Sequence, residues 1–178
     1  KTYSGTAKYK LFKQSDRVPF NVSLYGSADM NSQLKKSVYP GLKTSDRFSY
    51  TAQILASRSF SEKLSLEVAP IFVRHNLQDL NFTKTLTHNH LLFGMGGRYK
   101  LSKRLSLNMD YAYNFSKNKN SLYKNPLTIG VDIETGGHVF QLLFTNSRAS
   151  NDSSFLTETT GDWSKGEISF GFNIVRVF

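Results

Sequence analysis

Polar and apolar residues alternate with a period of two along almost every segment of this chain, and no other feature limits its fold so strongly. The stretch LSLNMDYAYNF, Leu105 to Phe115, puts Leu105, Leu107, Met109, Tyr111, Tyr113 and Phe115 on one side and Ser106, Asn108, Asp110, Ala112 and Asn114 on the other. Such a segment is a strand, because only extended backbone sends successive side chains to opposite faces. Phe20, Val22, Leu24, Gly26, Ala28 and Met30 repeat the pattern against Asn21, Ser23, Tyr25, Ser27 and Asp29. Leu64, Leu66, Val68, Pro70 and Phe72 do so against Ser65, Glu67, Ala69, Ile71 and Val73. Weaker copies run over Thr6 to Phe12, Phe48 to Phe60, Leu91 to Leu101 and Leu127 to Ile133, followed by Phe140, Leu142 and Phe144. Ile168, Phe170, Phe172, Ile174 and Phe178 close the series, giving nine strands.

Strand length and composition place this β-protein in a membrane. A run of about 9–11 residues crosses a bilayer when tilted, whereas soluble strands cluster near five or six. The chain is 178 residues with a hydrophobic fraction of 39%, and no segment has the ~18 consecutive apolar residues of a membrane helix. It nonetheless carries 14 Phe and 9 Tyr besides Trp163. A transmembrane barrel reconciles the two, since only every second residue faces lipid and aromatics gather at the interfaces. With no cysteine, disulfides and thiolate metal sites are excluded. The net charge of +10 is spread over turns and loops and forms no stripe on one element, so nucleic acid is not an expected partner.

The connections alternate in length, which gives the barrel a direction. Short turns lie at Lys13–Val18, Ser61–Lys63, Ser102–Arg104 and Thr135–Gly137; long loops lie at Asn31–Asp46, Asn76–Thr87, Ser116–Asn125 and Ser147–Lys165. Outer-membrane barrels keep short turns in the periplasm and long loops outside, which sets the C-terminus in the periplasm of a Gram-negative cell. The expected fold is thus all-β, one antiparallel transmembrane (outer-membrane) β-barrel domain over 1–178. Nine is an odd count, so about twelve strands are expected in the full protein, with three N-terminal strands outside this sequence. Pro70 predicts a bulge or a gap in pairing, and Arg58 and Arg176 on the lipid-facing parity lie where a basic side chain can snorkel to headgroups.

From Tyr123 onward the residues become specific. YKNPLTIGVDIETGGHVFQLLFTNSR and WSKGEISFGFNIVRVF resemble the end of an uncharacterised Bacteroidota outer-membrane β-barrel family, a domain of unknown function, and the opening KTYSGTAKYKLFKQ resembles that family's middle. The resemblance implies a barrel and a location, without an activity. The ending is also similar to the C-terminal signal read by barrel-assembly machinery, carried here by Phe170, Phe172, Ile174 and Phe178 and interrupted by Arg176.

Candidate site residues lie on the polar parity. If Val73 faces Leu92, Glu67 lies opposite Arg98 and Asp110 lies diagonally close, forming a charge ladder that either selects solutes or fills a narrow interior. The same register sets His75 across from His90, with His88 beside them at the outer mouth; three imidazoles can hold a metal, but histidines beside a polar loop are ordinarily just solvated, and no metal or cofactor is expected. His138, after Gly136 and Gly137, reads as part of a tight turn. Lys35, Lys36, Lys43, Lys84, Lys117, Lys119 and Lys124 in the long loops would meet lipopolysaccharide phosphates. No nucleophile elbow, zinc-protease helix or phosphate loop occurs, and the chain is not expected to be an enzyme. The expected function is a small pore or solute-transport barrel with a charge-paired lumen. The competing expectation is a scaffold barrel with a filled lumen, working with other envelope proteins.

Overall fold

A computed structural model describes residues 1–77, 88–117 and 121–176. Nine strands follow one another as an antiparallel meander: β1 Thr2–Phe12, β2 Asn21–Asn31, β3 Phe48–Ser59, β4 Leu64–His75, β5 Asn89–Lys100, β6 Leu105–Asn114, β7 Leu127–Glu134, β8 His138–Thr145 and β9 Ser169–Arg176. Each pairs with its neighbours in sequence, and the sheet curls into a half-barrel. Among the described residues β1 and β9 do not pair with each other. The fold class and the nine strands match the reading of the sequence.

Curling divides the side chains into a convex and a concave set. Leu66, Val68, Phe72, Leu91, Met95, Leu107, Met109, Phe144 and Phe170 lie exposed on the convex face, as an apolar parity requires of a surface meant for a non-aqueous solvent. The concave set is buried or half-buried and mostly polar: Ser23, Asp29, Thr51, Ser106, Asn114 and Asp132 are buried there. No helix among the described residues is long and apolar enough to cross a membrane.

Two irregularities have identifiable causes. Pairing of β3 with β4 lapses between Gln53↔Ile71 and Ala56↔Val68, and the register is the same on both sides of the lapse. Pro70 sits in that gap. It has no N–H to give β3, while on the other side it stays in line opposite Phe93. The expected gap is present, without a bulge. A bulge occurs instead at the short-turn end of β1, where Lys10 faces Ser23 but Phe12 faces Val22. The tightest turn, between β7 and β8, is closed by the Thr135 N–H on the His138 carbonyl at 2.9 Å and has Gly136 at φ +69°, which favours glycine. His138, the first residue of β8, contributes its backbone carbonyl to this closure.

The connection from β8 to β9 departs from a simple outer loop. It carries helix α1, Asp152–Thr157, and the 3-10 turn Trp163–Lys165, and α1 enters the concavity to touch β2, β3, β4 and β6. Phe155 and Leu156 pack on Leu55, Ala69, Ile71, Val73, Leu92 and Ala112, the apolar core of the molecule. Burying a leucine such as Leu156 contributes about 1.5–3 kcal/mol. Val73 beneath the helix is fully buried at 0% exposure.

Candidate functional site

The site is the concave face together with the loop that folds onto it. Asp29, near the long-loop end of β2, is 3% exposed and holds the start of α1. Its Oδ2 accepts from Ser153 Oγ at 2.6 Å, from the Ser153 backbone N–H at 3.3 Å and from Asn151 Nδ2 at 3.3 Å. Two residues along the same face, Tyr25 donates its hydroxyl to the Asp152 carboxylate. Bonds to an ionised acceptor are about twice as strong as neutral ones, so Asp29 is the main polar tether of the loop.

His75, the last residue of β4, ties the far end of α1. Its Nε2 lies 2.8 Å from Thr157 Oγ1, and its Nδ1 lies 2.9 Å from Ser49 Oγ. Thr157 spends its only hydroxyl proton on the Ser153 carbonyl at 2.7 Å, so His75 Nε2 must be the donor to Thr157. In the neutral ring Nδ1 then accepts from Ser49, and in the charged ring it donates; both states keep the bridge. The ends of the loop are closed by Asn146, which donates to the Asn125 and Gly161 carbonyls at 3.0 Å each and accepts from the Leu127 N–H at 2.8 Å. A Cβ at position 161 would come within 2.4 Å of the Asn146 carbonyl oxygen, so this approach requires glycine. Outside the strands, Ser164 and Lys124 hydrogen-bond Asp162 and hold its carboxyl at about 2, below its ordinary 3.8; Lys124 Nζ lies 3.2 Å away. Burial pushes the Tyr123 hydroxyl up.

Space remains on either side of α1. A cavity of about 400 Å³ opens at the long-loop end among Asp29, Arg47, His75, His90, Asn114 and Glu158. One of about 150 Å³ lies beneath the helix, lined by Gln53, Glu67, Gly96, Asp110, Asp152 and Phe155. A third, of about 570 Å³, faces β7 to β9 at the short-turn end, lined by Arg98, Asp132, Glu134 and Gln141.

The charge ladder read from the sequence is rearranged. The β4–β5 register places Val73 opposite His90 and Glu67 opposite Gly96, two residues away from the expected pairing of Val73 with Leu92. Asp110 also faces Gly96, so Glu67 and Asp110 flank a glycine with no arginine between them. Arg98 lies in the row of Ser65 and Asn108 and reaches towards β7, where Nη2 meets Glu134 Oε1 at 2.7 Å and Nε lies 3.8 Å from Asp132. A two-residue slip leaves every side chain on its own face, which is why alternation identifies the members of the set but not their partners.

The histidines are brought together differently from expectation as well. His75 meets His88, whose carbonyl accepts the His75 N–H at 2.8 Å, and His90 lies edge-on to His75 with ring centroids 5.6 Å apart. His90 Nδ1 is 3.2 Å from Asn114 Nδ2. No group of three or more potential ligands among the described residues is placed to hold a metal. Phe170, Phe172 and Ile174 are exposed on the convex face of β9, with Phe170 beside Phe144 and Phe172 beside Phe140. Phe178, Lys84 and Lys119 lie outside the described residues.

The loop anchors, Asp29 with Ser153, Tyr25 with Asp152 and His75 with Thr157, were missed by reading along the sequence. One signal could have found them. In β4 both parities are apolar, Val68 and Phe72 on one and Ala69, Ile71 and Val73 on the other, which is the pattern of a strand covered on both faces. Phe155 and Leu156, adjacent in an otherwise polar loop, are the natural cover.

The chain matches no curated protein and no solved structure. A family model described as "Membrane bound beta barrel domain (DUF5777)" matches residues 1–178. With its apolar convex face and uninterrupted antiparallel meander, the chain belongs to this family of membrane-bound β-barrel domains.

Proposed function

We propose that this membrane barrel works in an outer membrane as a pore for small polar solutes, narrowed from within by the segment 147–165. The observation that carries the reading is the placement of α1: it crosses the polar concavity and leaves cavities of about 400 and 150 Å³ on its two sides. The smaller cavity is flanked by Glu67, Asp110 and Asp152, polar groups able to hold water in it. In this reading the long loops face outward, the short turns and the C-terminus face the periplasm, and Phe170, Phe172 and Ile174 present the assembly signal. Lys35, Lys36 and Lys43 would then stand at the lipopolysaccharide surface.

A scaffold barrel with a filled lumen is the second reading, favoured by the dry contact of Phe155 and Leu156 with β4 and β5. Single-channel recording of the full-length protein in planar bilayers separates the two. The pore reading expects discrete openings, with a larger step when 148–160 is replaced by a short Gly-Ser linker. Silence in the intact protein with conduction only after the replacement would establish the filled barrel. Silence in both would sink the pore.

A further inference from the structure

Both ends of the barrel carry exposed cations, and at the short-turn end they border exposed aromatic side chains. At the short-turn end the exposed cations Lys13, Arg17, Arg58, Lys63, Lys103 and Arg104 form a rim, and the exposed acids there are Asp16 and Glu62. Arg98 and Lys124 form ion pairs with acids of the chain, and among the described residues none of these six rim cations does so. At the long-loop end Lys35, Lys36 and Lys43 are exposed as well, while Arg47 follows Asp46 and Lys124 pairs with Asp162.

The basic rim borders a ring of exposed aromatics. Phe12, Phe20, Phe60 and Tyr99 are 45–56% exposed at the same ends of β1 to β5. Arg58, on the convex parity opposite Leu66, has its guanidinium carbon 5.1 Å from the centre of the Phe60 ring. An aromatic ring marks the depth of the membrane interface, and a cation at that depth stands level with the headgroup phosphates.

We infer that the short-turn rim is a binding collar for anionic glycerophospholipid headgroups, with Arg17, Lys63, Lys103 and Arg104 on the phosphates and Phe12, Phe60 and Tyr99 against the glycerol and upper chains. Cations without an ion pair among the described residues, next to a lipid-facing aromatic ring, complement an anionic headgroup in both charge and depth. The collar rests on the membrane-barrel family and needs no conduction, so it stands or falls separately from the pore.

The test uses the full-length protein reconstituted in phosphatidylcholine vesicles with trace spin-labelled phosphatidylglycerol or phosphatidylcholine. The motionally restricted fraction is read by electron paramagnetic resonance. Both leaflets have the same composition, so the orientation of insertion does not matter. The expected result is a preference of about fivefold for the anionic lipid, the effect of about one cation per headgroup. It falls towards one in the variant Arg17→Gln/Lys63→Gln/Lys103→Gln/Arg104→Gln and persists in Lys35→Gln/Lys36→Gln/Lys43→Gln. Should the rim variant fail to fold, the unaltered protein in about 1 M salt must lose the preference, because screening then acts within about 3 Å. Equal affinity for the two lipids, or a preference lost with the loop lysines instead of the rim, overturns the collar.

Discussion

The wall made by β4 to β6 and the wall made by β7 to β9 share the same alternation, yet their concave faces behave oppositely. On the first, Ala69, Ile71, Val73, Leu92 and Ala112 form an apolar strip roofed by Phe155 and Leu156. On the second, Asp132, Glu134, Gln141 and Val139 line open space, and Arg98 reaches across from β5 to pair with the acids. An interior parity that turns apolar for three successive positions therefore marks where part of the chain folds back inside. Where the parity stays polar, the interior is left to water and ion pairs.

The sharpest way to break this comparison is one substitution on both walls. Val73→Asp puts a charge in a fully buried position under α1 and is expected to cost more than about 3 kcal/mol and to unseat the helix. Asn173→Asp on β9, in the row of Gln141 and Asp132, should stay within about 0.5 kcal/mol. Urea unfolding in detergent micelles measures both, and equal midpoints would erase the distinction between an apolar and a polar wall.

A smaller effect is expected from the tether. Asp29→Ala leaves the Ser153 hydroxyl and N–H without their acceptor at a site where Ser153 is 1% exposed, a loss of about 1–3 kcal/mol. Asp29→Asn keeps an acceptor and should lose less. Because the chain has no cysteine, the double variant Asp29→Cys/Ser153→Cys offers a clean check of the same contact. Failure to oxidise to a disulfide would place the loop elsewhere.

The smallest effect lies at the exit of the loop. Asp162 has its carboxyl lowered from 3.8 to about 2 by Ser164 and Lys124. Its folded value lies below the ordinary one, so the stabilisation is complete above pH 3.8 and is lost as the pH falls towards 2. Trp163, the single tryptophan, is adjacent and donates its indole N–H to the Leu127 carbonyl at 3.0 Å. Its emission should shift between pH 4 and 2 in the unaltered protein and stay flat in Asp162→Asn. A shift of the same size in both would assign the change to another carboxylate.

Much of the architecture was legible along the chain because it is local. Alternation from Leu105 to Asn114 needs no partner to declare a strand and its two faces, and the short turns at 61–63 and 102–104 join neighbours that can only pair antiparallel. Membership of the polar face was equally open to reading, which is why Glu67, Arg98, Asp110, His75 and His90 all stand on the concave side. Their pairing was not. A slip of two residues moves Glu67 from Arg98 to Gly96 without changing which face it occupies, so pattern alone weighs the two registers equally.

What the sequence determined by itself, then, is the period, the strand number, the two faces and the direction in which loop lengths alternate. The tertiary structure decided the register and sent α1, within the connection 147–165, inward. Both depend on contacts between distant parts of the chain: Asp29 meets Ser153 across 124 residues and His75 meets Thr157 across 82. Loops rich in Ser, Asn and Asp look alike in sequence whether they face water outside or polar groups inside. Only the curvature of the sheet brings the apolar strip of β4 within reach of Phe155 and Leu156, and that burial sets where the loop comes to rest.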